Sequence, residues 1–580
     1  MHRRSTRVSA LLTGLGLTLG AGTALAQDPT STWADESSWD VPGQYVVDFD
    51  DDVATSTITD TLKAMGLSSQ PSALVEDTGV TVVDVSSRVS SRGLVARVLA
   101  KLRGDDRVEY VEPLARVRAF FVPDDPMYGK QWHMKQVGAE EAWGLSVGRG
   151  VTVAVVDTGV ACENFKQFTK ASDLLQTGCV AGFNFVNKTD HANDDQGHGT
   201  HVAGTIAQST HNGVGVAGLA FGAKLMPVKV LSADGWGTTA GVADGIRWAA
   251  DHGAQVINLS LGGPRNSKVL QSAVDHARSR GAVIVAAAGN SGGAVGFPGA
   301  SEGVIGVSAT DQKDALARFS SRGDGVDIAA PGVDVTQQTI CDRGKNRCEI
   351  FPSYNGTSMA SPHVAGVAAM LVGLGVNDAE AVEAILQDSA KVVDDSPAGR
   401  KKFGAGRLQA DAALEGVVTQ QLGARLLAVL ALALLAFRWS RRRGETIAAS
   451  SPGMWISAIA VGVGPLFFAP FVLSRHELWV DVLSRPMVEW DLFVGMSVHR
   501  FLPLANAAIP LLLVAMFNSI KGAAPWLAGI ALGVAGYLAS VIALGHLSTP
   551  FGTMLTAFWC GINAFICVYL ASLLVRKNPA

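Results

Sequence analysis

The last third of the chain most narrows what it can fold into. Five apolar stretches follow one another there: Leu422–Trp439, Met454–Leu473, Leu502–Phe517, Pro525–Leu544 and Thr553–Val575. Each approaches the roughly 20 residues a helix needs to cross a bilayer core, the third being short. In lipid the backbone has no water to bond, so its N–H and C=O groups must pair within the segment, which selects helices. The composition carries the imprint: 48% of the 580 residues are hydrophobic and only 17% charged, against roughly 25% charged in a soluble domain. Buried helices of a soluble protein are the alternative, and five stretches in succession speak against it. A formal net charge of -4 is too small to imply a nucleic-acid partner.

The N-terminus sets a direction. His2-Arg3-Arg4 and Arg7 precede the apolar run Val8–Leu25, and Ala24-Leu25-Ala26 offers small residues for cleavage. Residues 1–26 therefore read as a secretory signal peptide, with an uncleaved anchor as the alternative. An exported segment puts the start of the first span outside, and Arg441-Arg442-Arg443 then falls inside, as the bias of Lys and Arg requires. Five spans place Lys521 and Arg576-Lys577 inside, and Glu477, Asp481, Glu489 and Asp491 outside. The expectation is a multi-pass protein of the plasma (inner) membrane with its large domain on the extracytoplasmic side. Of six cysteines, Cys162, Cys179, Cys341 and Cys348 lie in the exported part. An even number in an oxidising compartment suggests two disulfides. Proximity favours Cys162–Cys179 and Cys341–Cys348, with three connectivities open. Cys560 and Cys567 sit in the last apolar stretch.

Between these ends the pattern changes twice. Residues 27–42 are a polar linker. Residues 43–118 form a small α+β unit, with strands expected at Gln44–Phe49, Val80–Val85 and Val108–Pro113 and a helix at Leu94–Arg103. Residues 119–124, with Pro123, form a second linker. From 125 to 416, short β-branched runs at Val151–Val156, Lys224–Leu231, Gln255–Leu261, Ala282–Ala288 and Val304–Thr310 alternate with helical patterns such as Thr238–His252 and Ser267–Arg280. Near-continuous apolar strands separated by helices imply an α/β fold whose parallel sheet is covered on both faces. Residues 422–580 form the membrane domain, all-α, with about five helices.

Three short boxes carry chemistry. They are VVDTG at Val155–Gly159, GHGTHVAG at Gly197–Gly204 and NGTSMASPH at Asn355–His363. They supply Asp157, His198 and Ser358. A serine hydroxyl is a weak nucleophile, so it needs a base within hydrogen-bond reach and that base needs an orienting partner. Asp157 ends an apolar strand, the edge where parallel sheets form sites. His198 and Ser358 each open a helix, where backbone N–H groups are unpaired. A second D-T-G, at Asp77–Gly79, raises an aspartic-protease reading with paired carboxylates. That reading leaves the other two boxes unexplained. His198 and His201 lack the glutamate and spacing of H-E-x-x-H, so a metal pair is not expected. His201 and His363 read as structural residues of their helices.

The order Asp, His, Ser and the residues around each resemble the subtilisin family of serine proteases, over roughly residues 43–416. That resemblance implies a subtilisin-like parallel sheet flanked by helices, and a serine endopeptidase working through an acyl-enzyme. Ser358 would attack, His198 act as base and Asp157 orient it, with Asn290 of Ala286–Asn290 as oxyanion donor. It implies that residues 43–118 are an inhibitory propeptide removed by the protease itself; the alternative is an independent binding module. Ser260, Leu261 and Gly262 would pair with a substrate strand, and Gly289 and Gly296 line the specificity pocket. A glycine floor without a nearby acid favours cleavage after Phe, Tyr, Leu or Met, which makes Phe120 or Phe121 a self-cleavage point. No cofactor is implied for the chemistry. The loop Asn212–Gly218 resembles the family's calcium loop, with Asn212, Val214 and Val216 as ligands and Asp125 or Asp173 as carboxylate. The expected partners are protein or peptide substrates, the chain's own propeptide and the lipid bilayer.

The resemblance does not reach the membrane part. Gly529, Gly533 and Gly536 give one helix a small-residue face suited to packing. Asn506, Asn563 and His546 are polar at or within spans, where polar groups are functional candidates. No paired carboxylate accompanies them, so packing is favoured over transport. A rival reading makes this module the functional centre, for sensing, transport or scaffolding, with the protease as its processing arm. An inactive scaffold is the remaining alternative, disfavoured by the presence of all four catalytic positions.

Overall fold

The computed structural model describes residues 40–85, 92–115, 121–340, 350–443, 451–493, 505–520, 522–547, 549 and 552–575. The signal segment, Phe120, Cys341, Cys348, Lys521 and Arg576-Lys577 lie outside the described residues. The chain forms two compact units, up to Arg118 and from Ala119 onward.

The first unit is a four-stranded antiparallel sheet in the order β2-β3-β1-β4. Its strands are β1 (Asp40–Phe49), β2 (Ser68–Pro71), β3 (Val80–Asp84) and β4 (Val108–Ala115). Two helices, α1 (Thr55–Ala64) and α3 (Arg92–Arg103), contribute Ile58, Leu62, Leu99 and Leu102 to a core completed by Val47, Phe49, Val83 and Val111. The short helix α2 (Val75–Thr78) precedes β3. The sequence reading omitted α1 and β2. Helix α1 is Thr-rich, and β-branched residues lower local helix propensity; its identity lies in the spacing of Ile58 and Leu62 by one turn.

The second unit is built on an eight-stranded sheet. Its main path is β12-β11-β10-β9-β5-β8-β6, and β7 pairs with β8. These are β5 (Thr152–Asp157), β6 (Gly178–Cys179), β7 (Phe183–Asn184), β8 (Lys224–Lys229), β9 (Val256–Leu259), β10 (Val283–Ala287), β11 (Ile305–Thr310) and β12 (Ile328–Pro331). Every pairing is parallel. Ahead of the sheet come α4 (Trp132–Gln136) and α5 (Ala139–Trp143). On one face lie α7 (Thr239–Asp251) and α8 (Lys268–Ser279), capped by the Thr238 and Ser267 side chains. A second apolar core contains residues of α6 (His198–Ala207) and the long α9 (Thr357–Gly373), with sheet residues such as Val153 and Val155. Alternate side chains of β5 enter the two cores: Val153 and Val155 one, Ala154 and Val156 the other. The pattern of burial on both faces is why the strands read as unbroken apolar runs. The disulfide Cys162–Cys179 is present.

After α10 (Ala379–Asp388) and α11 (Pro397–Phe403), helix α12 runs without a break from Ala410 to Arg442. The boundary placed between 416 and 422 therefore falls inside one helix, which starts in the catalytic core at Ala413 and Val417 and ends among apolar helices at Ala433 and Ala436. Five spanning helices were expected, and among the described residues three are long and apolar enough: Ala410–Arg442, Ala523–Leu544 and Thr553–Leu574. The stretch from Met454 stops at α13 (Pro452–Gly462) because Gly464, at φ +138°, and Pro465 end it. The third stretch is helical only over Ala508–Phe517. Gly462 and Gly533 bring their helices together so closely that a Cβ on Gly462 would lie 2.5 Å from Gly533 O. Gly529 and Gly536 face Met454 and Val429 in the same way. Asn563 Oδ1 accepts from Ala507 N at 2.9 Å, and Asn506 Oδ1 from Ala508 N. Cys560 and Cys567 are buried and unlinked.

Candidate active site

Asp157 is the last residue of β5 and is fully buried. Its Oδ1 accepts from Thr158 N at 2.7 Å and lies 2.8 Å from His198 Nδ1. His198 opens α6 and keeps a quarter of its side chain exposed. Gly199 lets that helix approach β5: a Cβ there would sit 2.1 Å from Gly159 O. Burial pulls the His198 pKa down, but the charge and hydrogen bond of Asp157, with Asp194 behind, outweigh it and the net shift is upward.

Ser358 lies in the first turn of α9 and is half-buried. Its hydroxyl donates to Ser260 O at 3.1 Å, and no hydrogen bond joins it to His198. Pro362, four residues on, has no N–H to give to the Ser358 carbonyl. The Ser260 hydroxyl occupies that place at 2.8 Å, within a buried network of Asn258, Ser260 and Ser361. Asn290 follows β10. Its Oδ1 accepts from both Thr357 N and Thr357 Oγ1 at 2.9 Å. That pair of donors fixes the amide orientation and leaves Nδ2 directed to the Gly356–Ser358 turn. The N–H of Ser358, in the first turn, has no helical carbonyl to bond.

Ser260, Leu261 and Gly262 continue from β9, Ser260 buried and Gly262 exposed. Gly263 and Phe297 exchange two backbone hydrogen bonds of 2.8 Å, which brings Gly296 alongside: a Cβ on Gly296 would lie 3.2 Å from Gly263 O. Gly289 sits at φ +108°, with Gly296 N near its open side. The residues assigned to strand pairing and to the pocket are thus brought together beside Ser358 and Asn290.

Sequence reading missed two supports. Asp194, buried, accepts hydrogen bonds from Gln196 N, Gly197 N, Thr200 N, Thr158 Oγ1 and Thr200 Oγ1. It ties the start of α6 to the loop after β5. An Asp just ahead of a helix start is a capping signal that could have found it. Lys229 is buried at the end of β8 and donates to Thr158 O, Leu231 O and Asp195 Oδ1 at 2.6–2.7 Å. No local pattern marks it.

His201 and His363 are structural. His201 stacks on Tyr354, and His363 Nε2 meets His133 Nδ1 at 2.8 Å. Burial lowers the pKa of His201 to about 3 and of His363 to about 4, and lowers that of His133 well below the usual range. The loop Asn212–Gly218 is closed by carboxylates. Asp173 bonds Asn212 Nδ2 at 2.8 Å and Val216 N at 3.0 Å; Asp125 bonds His211 N and Asn212 N. Phe121 is half-buried, stacked on His476 at 4.1 Å and packed near Trp143, His211 and Phe221.

Residues 148–406 match the model of the subtilase family (Peptidase_S8), and residues 36–113 match that of the fervidolysin N-terminal prodomain. The chain is 39% identical over 327 residues to the thermophilic serine proteinase of Bacillus sp. (strain AK1), covering 55% of this chain and 78% of that protein. It is 40% identical over 274 residues to thermitase of Thermoactinomyces vulgaris, covering 47% of this chain and 92% of thermitase. A solved protease of Pseudoalteromonas arctica PAMC 21717 shares 32% identity with a TM-score of 0.46, over 51% of this chain and 99% of its own. Neither family model extends beyond residue 406.

Proposed function

The chain belongs to the subtilase family of serine peptidases and carries a fervidolysin-like N-terminal prodomain, and from that premise we propose an exported, membrane-anchored endopeptidase whose triad is Asp157, His198 and Ser358. The carrying observation is the buried Asp157 held 2.8 Å from His198 Nδ1 at the sheet edge where α9 presents Ser358. In this reading substrate lies along Ser260–Gly262, and the Ser358 hydroxyl turns from Ser260 O to His198 Nε2. His198 takes its proton as Oγ attacks the scissile carbonyl and passes it to the leaving amine; water then releases the acyl group by the same route. Asn290 Nδ2 and Ser358 N hold the oxyanion, each such donor being worth about 10²–10³ in turnover. Gly289 and Gly296 leave room for a large apolar side chain before the cut bond. Phe120 and Phe121 remain the proposed points of propeptide removal.

Residues 27–42 and 119–124 serve in this reading as linkers around the prodomain. The catalytic domain starts near 125 and passes through α12 into the membrane domain. Apolar side chains at Leu427, Leu430, Leu434 and Leu435 of α12, and at Phe558 and Phe565, face outward and suit lipid. Arg443 bonds Ser572 and Gly453 meets Trp526 at one end of the bundle; Arg425, Tyr537 and His546 gather at the other. That pairing supports five crossings. Three use full helices, while α13 and the helix Ala508–Phe517 rise only about 16 and 15 Å and need irregular chain to complete a core of about 30 Å.

Calcium fits the loop in part. Asp173, the Asn212 side-chain oxygen and the carbonyls of Val214 and Val216 would hold it. Two buried carboxylates with little positive charge nearby, Asp125 and Asp173, favour a cation there: burial raises the pKa of both, Asp173 to about 7. A rise in Tm of the full-length protein on adding calcium over chelator, absent in Asp173→Asn, is the expected outcome.

The central test is Ser358→Ala in full-length protein purified in detergent. Casein hydrolysis should fall to the background of a heat-killed sample; hydrolysis that persists would overturn the proposed mechanism.

A further inference from the structure

We infer that the membrane region grips the catalytic domain by its base, so that the proposed active site faces away from the bilayer and takes polypeptide standing clear of the membrane rather than bilayer-adjacent segments. The inference rests on the proposed triad and membrane placement, and it names the substrate class of that site.

The grip is a set of contacts onto two short stretches of the catalytic domain. The first is residues 143–150, ahead of β5. Ser474 Oγ donates to Trp143 O, and Arg475 donates to Gly144 O at 3.0 Å and Leu145 O at 3.2 Å. Arg149 donates to His476 O and faces the Asp481 carboxylate at 3.6 Å. The second stretch is residues 373–378, at the end of α9. Arg485 donates to Gly373 O at 2.6 Å, Gln421 to Leu374 O at 3.1 Å, and the N–H groups of Asn377 and Asp378 reach His546 O at 2.7 and 3.2 Å. Behind these contacts lie buried ion pairs, Arg485–Asp481 at 2.8 Å and Arg425–Glu489 at 2.5 Å. Arg425, Arg475, Arg485, Asp481 and Glu489 are each less than a tenth exposed. Groups bonded at this density leave the junction few alternative arrangements, and α12 passes through it as one continuous helix.

Two elements measure the distance from this junction to the site. Helix α9 carries Ser358 in its first turn and ends against Arg485, a rise of about 22 Å from Ser358 to Gly373 at 1.5 Å per residue. Strand β5 begins beside the junction, where a Cβ on Gly150 would lie 2.8 Å from Leu492 O, and ends at Asp157, about 17 Å from its first residue. The strand climbs from the junction to the site and the helix descends from it, so both place the site on the far side of the domain. The outward leucines of α12 start at Leu427, just past Arg425, so the lipid-facing surface begins at the junction itself. A chain leaving the bilayer needs at least six extended residues to gain about 20 Å, and more to round the domain and fill the cleft.

The test uses full-length protein in vesicles of phosphatidylethanolamine and phosphatidylglycerol. Single-span reporters in the same vesicles carry one casein-derived segment, placed about 5 or about 40 residues from the bilayer. The same segment is supplied as a soluble peptide. The long reporter should be cut as readily as the long-spacer geometry allows, and the short one at least about tenfold more slowly. Equal cleavage of short and long reporters overturns the inference while leaving soluble-peptide hydrolysis intact. Soluble-peptide hydrolysis that survives Ser358→Ala overturns instead the catalytic reading beneath it.

Discussion

His198 is pulled in two directions, and in the proposed mechanism the outcome governs its use as a base. Burial favours the neutral ring, while Asp157 and Asp194 favour the cation and prevail. Only the neutral ring can accept the Ser358 proton. The acid limb of kcat/KM should therefore have its midpoint above the ordinary value of 6.5. In Asp157→Asn the cation loses its main support while the burial stays. The limb should move to lower pH and kcat should fall by about 10⁴; a pH–rate profile of the two proteins measures both. At this scale much was legible. The proposed site residues Asp157, His198, Ser358 and Asn290 each sit in a local box with its own packing demands, which is why the sequence singles them out. Lys229 could not be read, because its role comes from three oxygens on separate segments that meet only after folding.

At the scale of elements, α4, α6 and α9 each bring one histidine to a shared interior. His133, His201 and His363 are neutral there because burial opposes their charge. Folded pKa values below the unfolded 6.5 mean that the unfolded chain binds more protons. The stability they contribute is whole above about pH 6.5 and is lost as pH falls toward about 4 and then 3. In His363→Gln the difference in Tm between about pH 7 and about pH 5 should narrow, even if the variant melts lower throughout. Strands β5, β8, β9, β10 and β11 were readable from apolar runs. Helix α1 was not, because its threonines argue locally for another state while burial of Ile58 and Leu62 decides it. The apolar stretch after Met454 also misled: hydropathy counts residues, and Gly464-Pro465 ends a helix regardless of how apolar its continuation is.

At the scale of the whole molecule, the subtilase domain and the apolar helices that follow it pack as one unit rather than as a domain on a leash. Arg485 caps the carbonyl end of the helix that carries Ser358 in its first turn, and pairs with Asp481. Arg485→Ala would leave the buried Asp481 carboxylate with only Arg149, at 3.6 Å, and Gly373 O without its cation. Breaking a buried pair in this way costs about 3–5 kcal/mol, so the variant should melt well below the parent in detergent, as followed by circular dichroism. The apolar stretches were legible by themselves, and among the described residues three form helices long and apolar enough to cross a membrane. The sequence alone determined the peptidase family and the apolar helices of the last third, because sequence boxes and apolar runs are contiguous signals. The grip between the two parts was decided only by tertiary structure. It is made of single residues, with backbone carbonyls between them, and the charges of Arg425, Arg475, Asp481, Arg485 and Glu489 are sustainable in a buried place only because the fold sets them opposite partners from other segments.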